Sequence, residues 1–246
     1  MTISTKPASI EKRRAAAGGL AFVVALGLVG LWFIVARSFG PHWTLLPGDI
    51  GDARYINYML EHFFRWLVRL DPHYWDAPFF YPYPDAAAMS ETTLGSAPVY
   101  AVLRFIGLDR WAAFQAWFLA GYALNYACAA YALARLRFRL PAAGLAGFFF
   151  AFGLPMLALE DHVQLVYRCA IPLACLCLWE IAESPPRLAA LPALALWVVW
   201  QFYLSLYEGV FLALLLAALA IGVPLVAGRR TPGGLWGFWA GRVGAA

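Results

Sequence analysis

The chain has 246 residues, 63% of them hydrophobic and 13% charged, with a mean hydropathy of +0.68 and a formal net charge of +4. Soluble domains are about 45–50% apolar and about 25% charged, and a water-soluble body of this size has too much surface to hide the excess. Disordered chains, nucleic-acid binders and disulfide-stapled secreted modules are thereby excluded, leaving a polytopic membrane protein, which the helix-length apolar runs that follow read as all-α.

The first 17 residues are polar and carry Lys6, Lys12, Arg13 and Arg14. An apolar run over 18–36 follows, about the twenty residues a bilayer requires. It exceeds the roughly 7–15 residues of a signal-peptide core, so an uncleaved first span with a cytoplasmic N-terminal tail is expected.

Residues 37–93 hold seven of the fourteen acidic side chains, three histidines and prolines at 41, 47, 72, 78, 82 and 84. Such a stretch cannot lie in lipid and is expected on the far side of the membrane. Within it, 52–70 has helical periodicity. Asn57, Glu61, Arg65 and Arg69 form one stripe; Ile56, Met59, Phe63, Leu67 and Leu70 form another. Asp52 is expected to cap this helix, which should lie at the membrane surface. The proline-locked segment Phe79-Phe80-Tyr81-Pro82-Tyr83-Pro84 cannot be regular helix.

The apolar stretch 94–108 contains Pro98 and Arg104 and is short for a span. If it crossed the bilayer, Arg135, Arg137 and Arg139 would fall outside, against the positive-inside rule. It is therefore expected to be a second surface helix, closing an external loop over 37–110. Five further spans then alternate within 111–227: 111–134, 141–159, 169–181, 188–203 and 210–227. Residues 228–246 end on the cytoplasmic side, and the apolar 235–240 there suggests an N-terminal fragment of a longer protein. Cys128, Cys169, Cys175 and Cys177 all lie in apolar stretches without a C-x-x-C pair and read as small helix fillers.

This alternation puts Asp49, Asp52, Glu91, His162, Gln164 and Glu208 at one membrane face, where converging charges suggest a site. In Gly48-Asp49-Ile50-Gly51-Asp52-Ala53-Arg54, two glycines permit tight turns beside two carboxylates. A carboxylate held near lipid is expected to have a raised pKa and to act as a general base; the plainer reading is a loop turn and a helix cap. Asp49, one turn before the helix, is preferred as the base. Glu160-Asp161-His162-x-Gln164 follows a span end, and Arg168 at a span head suits either snorkelling or phosphate binding. Gln201, Tyr203, Ser205, Tyr207 and Glu208 close the outer end of a helix pair.

Taken in order, these motifs resemble the bacterial C-type (GT-C) membrane glycosyltransferases. They are the Gly48–Arg54 turn, the Phe79–Pro84 segment, Ser90-Glu91, Leu94-Gly95-x-x-Pro98, His162-x-Gln164-Leu165 and Gln201-x-x-x-Ser205-x-Tyr207-x-Gly209. The resemblance runs from about residue 47 to 225. It implies a GT-C-like module that moves a sugar from a polyprenyl-phosphate donor to an acceptor at the periplasmic face of the inner membrane. It implies Asp49 or Asp52 as the base. It implies Arg168 or Arg54 as the phosphate partner, with Glu91, His162, Gln164, Tyr207 and Glu208 as pocket residues. No nucleotide cofactor is expected, whereas a divalent metal is left open. The expected partners are the lipid-linked donor, membrane lipids and a downstream domain or partner subunit, with no nucleic acid. A lipid-linked glycan transporter and a non-catalytic membrane fragment are the alternatives.

Overall fold

The computed structural model describes residues 6–91, 93–159, 161–183, 185–226 and 234–244, with side chains from residue 13 onward. Among these the chain is helical, with no strand. The helices are α1 (Lys6–Gly30), α2 (Asp52–Leu67), α3 (Ala97–Phe105), α4 (Arg110–Arg135), α5 (Leu140–Phe152), α6 (Leu154–Leu157), α7 (Ala170–Ala182), α8 (Ala190–Leu204), α9 (Leu206–Val226) and α10 (Gly234–Val243).

Among the described residues four segments are long and apolar enough to cross a membrane: Arg13–Phe39, Leu140–Leu157, Val163–Ala182 and Leu206–Val226. Helix α8 is apolar but shorter. Helix α4, at 26 residues, has the length of a span, but Gln115, Asn125 and its Trp and Tyr side chains make it less apolar than the four. The sequence expectation of six spans is therefore matched at four.

α4 organises the core. Asp109 caps its start, accepting from the N–H groups of Trp111 (2.8 Å) and Ala112 (2.9 Å). One face buries Phe114, Trp117, Phe118 and Tyr122 almost completely. Their rings join Phe39 after α1, Phe152 of α5 and Tyr167 before α7, with centroids 5.1–6.2 Å apart. Gly30 lets α1 approach α5: a Cβ there would lie 2.5 Å from the Phe152 ring. At the other end Gly19 faces Leu140, so α1 and α5 run parallel and pack directly on each other, with α4 antiparallel to both and packed mainly on α5.

This polarity defines two ends. Arg13, Arg14 and the Arg135, Arg137 and Arg139 turn share one end with Glu180, which pairs with Arg135 (2.6 Å) and Arg187 (2.7 Å). Residues 37–110, the segment before α7 and the α8–α9 junction lie at the opposite end. α10 packs back on α7 and α9. Pro224 has no N–H, so the Ala220 carbonyl is free to accept Trp239 Nε1–H at 2.9 Å.

Several boundaries differ from the sequence reading. Helix begins at Lys6, inside the expected tail. α2 ends at Leu67 rather than 70, because Arg69 takes a left-handed backbone (φ +63°). α9 starts at Leu206, so Tyr207 and Glu208 are helical rather than in a loop. The apolar 235–240 falls within α10; residues 227–233 and 245–246, together with Glu160, lie outside the described residues.

The surface helices also pack differently. Asn57 and Glu61 belong to the expected polar stripe of α2, yet Asn57 is buried and Glu61 nearly so. Arg104 Nε and Nη2 donate to Glu61 at 3.0 and 3.1 Å, and Tyr100 Oη donates at 2.6 Å. Arg110 donates to Asn57 at 2.5 Å. Meanwhile Leu67 and Leu70 of the apolar stripe are exposed. α2 is thus keyed to α3 and α4 by polar contacts as well as by Ile56 and Leu60. At nine residues, α3 is about 14 Å long and too short to span.

Candidate functional site at the loop end of the bundle

The two aspartates of the glycine-flanked turn have divided roles. Asp49 Oδ1 accepts the backbone N–H of Asp52 (2.6 Å) and of Ala53 (3.3 Å). It satisfies donors that the first turn of α2 cannot satisfy internally. The capping duty expected of Asp52 therefore falls to Asp49, three residues earlier.

Asp52 is left to reach across the molecule. Its Oδ2 accepts from His162 Nδ1 at 2.7 Å and from Gln164 Nε2 at 2.9 Å. These partners come from the turn Val163–Leu165 and the residue before it, about 110 positions away in sequence. The Asp52 and His162 side chains remain 39% and 53% exposed, so the pair is open to a ligand. The His162 hydrogen bond, then that of Gln164, holds the Asp52 carboxyl below its ordinary range, opposite to the rise expected of a carboxylate near lipid, because these donors outweigh its burial. The Asp52 hydrogen bond raises His162. With Nδ1 engaged by the carboxylate, Nε2 is the ring nitrogen available to exchange a proton.

A second polar group braces the first. Arg168 Nε lies 2.9 Å from Glu208 Oε1, with both side chains largely buried, and also donates to the Leu165 carbonyl at 3.1 Å. Glu91 accepts from Leu206 N–H at 3.1 Å and from Ser205 Oγ at 3.3 Å, capping α9. Gly95 N–H donates to the Tyr203 carbonyl at 2.7 Å, and a Cβ there would meet the Leu204 backbone at 2.7 Å. Only glycine permits that approach between loop and α8.

The segment carrying His162, Gln164 and Arg168 is clamped from beneath. Asn125 donates to the Val166 carbonyl (2.7 Å) and accepts from Arg168 N–H (2.8 Å). Gln201 donates to the Tyr167 carbonyl at 2.9 Å, and Tyr167 Oη donates to the Trp117 carbonyl at 2.7 Å. Gln115 donates to the Trp43 and Leu45 carbonyls at 2.8 and 2.7 Å. The amides inside the helices thus fasten loops to the bundle.

Of the residues predicted from sequence, Asp49, Asp52, His162 and Gln164 form one cluster, and Glu91, Arg168 and Glu208 lie in the bracing around it. Arg54 and Tyr207 are exposed and pair with no described residue of either group. Among the described residues no set of three His, Cys, Asp or Glu side chains is arranged to hold a metal. Apolar grooves of about 450 and 500 Å³ run along α1 and α4, lined by Leu28, Leu31 and Ala123 among others, without any carboxylate or imidazole. The chemistry-bearing groups lie away from these grooves. Comparison with protein-family models, curated proteins and solved structures finds no match to this chain.

Proposed function

We propose that this is a membrane glycosyltransferase. It moves a sugar from a polyprenyl-phosphate donor to an acceptor hydroxyl at the extracytoplasmic end of a GT-C-like module in a bacterial inner membrane. The supporting observation is the exposed Asp52–His162 pair, assembled from two distant loops and relieved of helix capping by Asp49. In this reading Asp52 takes the acceptor O–H proton. The acceptor oxygen bonds to the anomeric carbon, the bond from that carbon to the phosphate oxygen breaks, and polyprenyl phosphate leaves. His162 and Gln164 orient the carboxylate. Arg54, exposed two residues after Asp52, meets the phosphate; Arg168 is already paired with Glu208 and braces the site.

The test is sugar transfer from a polyprenyl-phosphate donor in membranes at matched protein levels. Asp52→Asn should lose about 10²–10⁴-fold in rate, as expected for removal of a general base. Asp49→Asn should keep most transfer, because its amide oxygen can accept the same backbone N–H groups, whereas Asp49→Ala should cost about 1 kcal/mol of stability, as expected for a lost cap. The reverse ranking would return the base to Asp49. Normal transfer by both would remove this site from the reaction.

A further inference from the structure

Helices α1 and α4 each press on α5 and hardly on each other. A Cβ at Gly144 of α5 would lie 2.8 Å from Val23, and one at Gly147 would lie 3.1 Å from the Ala130 nitrogen. Because both helices are drawn onto α5 at glycines, the space between them stays open as the groove of about 450 Å³. Its α4 wall runs from Ala123 to Ala134 and its α1 wall from Leu20 to Leu31. The Tyr126 hydroxyl on that wall donates to the Val23 carbonyl at 2.6 Å and leaves no polar demand inside the groove.

The groove is one leaflet deep. Each wall rises about 16 Å from end to end, half of the roughly 30 Å hydrocarbon core. Its mouth lies at the basic end of the bundle. Tyr131 lines that end, and Arg135 donates to its hydroxyl at 3.0 Å. Leu140 lines it too, and Arg139, directly before it, is exposed. Arg13 lies two helical turns before Leu20 and so falls on the groove face of α1. Arg135 shares its charge with Glu180 at 2.6 Å. Among the described residues no carboxylate pairs with Arg13 or Arg139. An apolar slot with uncompensated positive charge at its mouth is complementary to an amphiphile with a negative head.

We infer that this groove binds an anionic phospholipid of the cytoplasmic leaflet, with an acyl chain between α1 and α4 and the phosphate on Arg13 and Arg139. The chain gains little by leaving other hydrocarbon, since lipid tails are as apolar as leucine. It gains close contacts with walls that otherwise face a void. Selectivity comes from the head group. Guanidinium N–H groups match phosphate oxygens, and basic pockets between helices on the cytoplasmic side hold anionic heads. Beyond Leu31 the second groove continues toward Trp43 with no basic side chain in its lining, so only the inner mouth selects for charge. A bound chain fills the gap between α1 and α4 and supports the bundle at the end away from Asp52 and His162.

The experiment places the full chain in phosphatidylcholine nanodiscs with a trace of phosphatidylglycerol, spin-labelled near the end of one acyl chain. Electron paramagnetic resonance then reports how much labelled chain is motionally restricted. Phosphatidylglycerol should be restricted about tenfold or more in preference to phosphatidylcholine carrying the same label. Arg13→Gln and Arg139→Gln should each weaken that preference about fivefold, as for one basic side chain at an anionic head. Ala127 is exposed on the α4 wall. Ala127→Phe fills the groove there and should remove the selective component while both arginines remain. Ala127→Leu should give a partial loss even where phenylalanine is not accommodated. Equal restriction of the two lipids, or arginine variants that bind as wild type does, would overturn the inference. So would undiminished selective restriction in both Ala127 variants, which would put the lipid on a surface charge patch and not in the groove. None of these outcomes depends on the sugar-transfer reading.

Discussion

Asp49 and Asp52 carry the same functional group three residues apart, and only contacts made elsewhere in the chain tell them apart. A local reading put the cap on Asp52 because it directly begins the periodic stretch. The structure gives the cap to Asp49, since the Asp52 side chain is drawn away by His162 and Gln164, both remote in sequence. That His162 and Gln164 stand near Asp52 was legible as a shared membrane face, but the hydrogen bonds were not. The pair also predicts a pH response. His162 is raised by its bond to Asp52, so its contribution is fully present below its ordinary value and lost as pH rises through the raised one. Asp52 is lowered, so its contribution holds above the ordinary carboxylate value and fades in acid. The tie between the two loops should therefore persist across mildly acidic and neutral pH and weaken on the alkaline side. Both groups are solvent-exposed, which keeps the effect small and sensitive to salt. Exchange protection of residues 161–165 followed against pH should show the alkaline loss, and His162→Gln should abolish that dependence; an unchanged profile in the variant would assign it to another group.

At the scale of elements, α2 shows what periodicity can and cannot reveal. The 3.6-residue pattern locates the helix and its burial of Ile56 and Met59 correctly. It fails at the C-terminus, where no local signal announces the left-handed Arg69. It also fails on the polar stripe, whose partners Arg104 and Arg110 lie 43 and 53 residues away. Arginines in an otherwise apolar stretch were the available clue to a partner. The Glu61–Arg104 pair is mostly shielded, at 14% and 21% exposure, with Tyr100 completing it. Removing one member of a buried pair costs about 3–5 kcal/mol, because the other charge is stranded; the residual exposure here places Glu61→Ala toward the lower end. A double variant, Glu61→Leu with Arg104→Leu, should recover part of that loss. Thermal unfolding in detergent measures both, and equal stability of wild type and Glu61→Ala would show that α2 and α3 are held by apolar packing alone.

For the whole molecule, charge bias along the chain and contacts in three dimensions meet on one question: which residues share an end. The basic turn 135–139 stands beside the arginines at the start of α1 because α4 returns antiparallel to α1 and α5. α3 is too short to reverse that order. Arg135 and Arg187 converge on Glu180 at the same end, which adds Arg187 to the basic group. Seven of the fourteen acidic side chains, from Asp49 to Glu91, stand at the other. Arginine and lysine near span ends are retained on the cytoplasmic side, so the polarity of the bundle becomes a prediction of compartment. Tyr81 and Phe138 are suitable reporters, being 93% and 56% exposed at opposite ends. In a background lacking the four native cysteines, Tyr81→Cys in intact cells should react with a membrane-impermeant maleimide. Phe138→Cys should react only after the membrane is permeabilised. Labelling of both from outside would mean an odd number of crossings between residues 81 and 138 is wrong, and with it the surface placement of α3. Labelling of Phe138→Cys alone would invert the molecule and place Asp52 and His162 in the cytoplasm, where a periplasmic acceptor could not reach them.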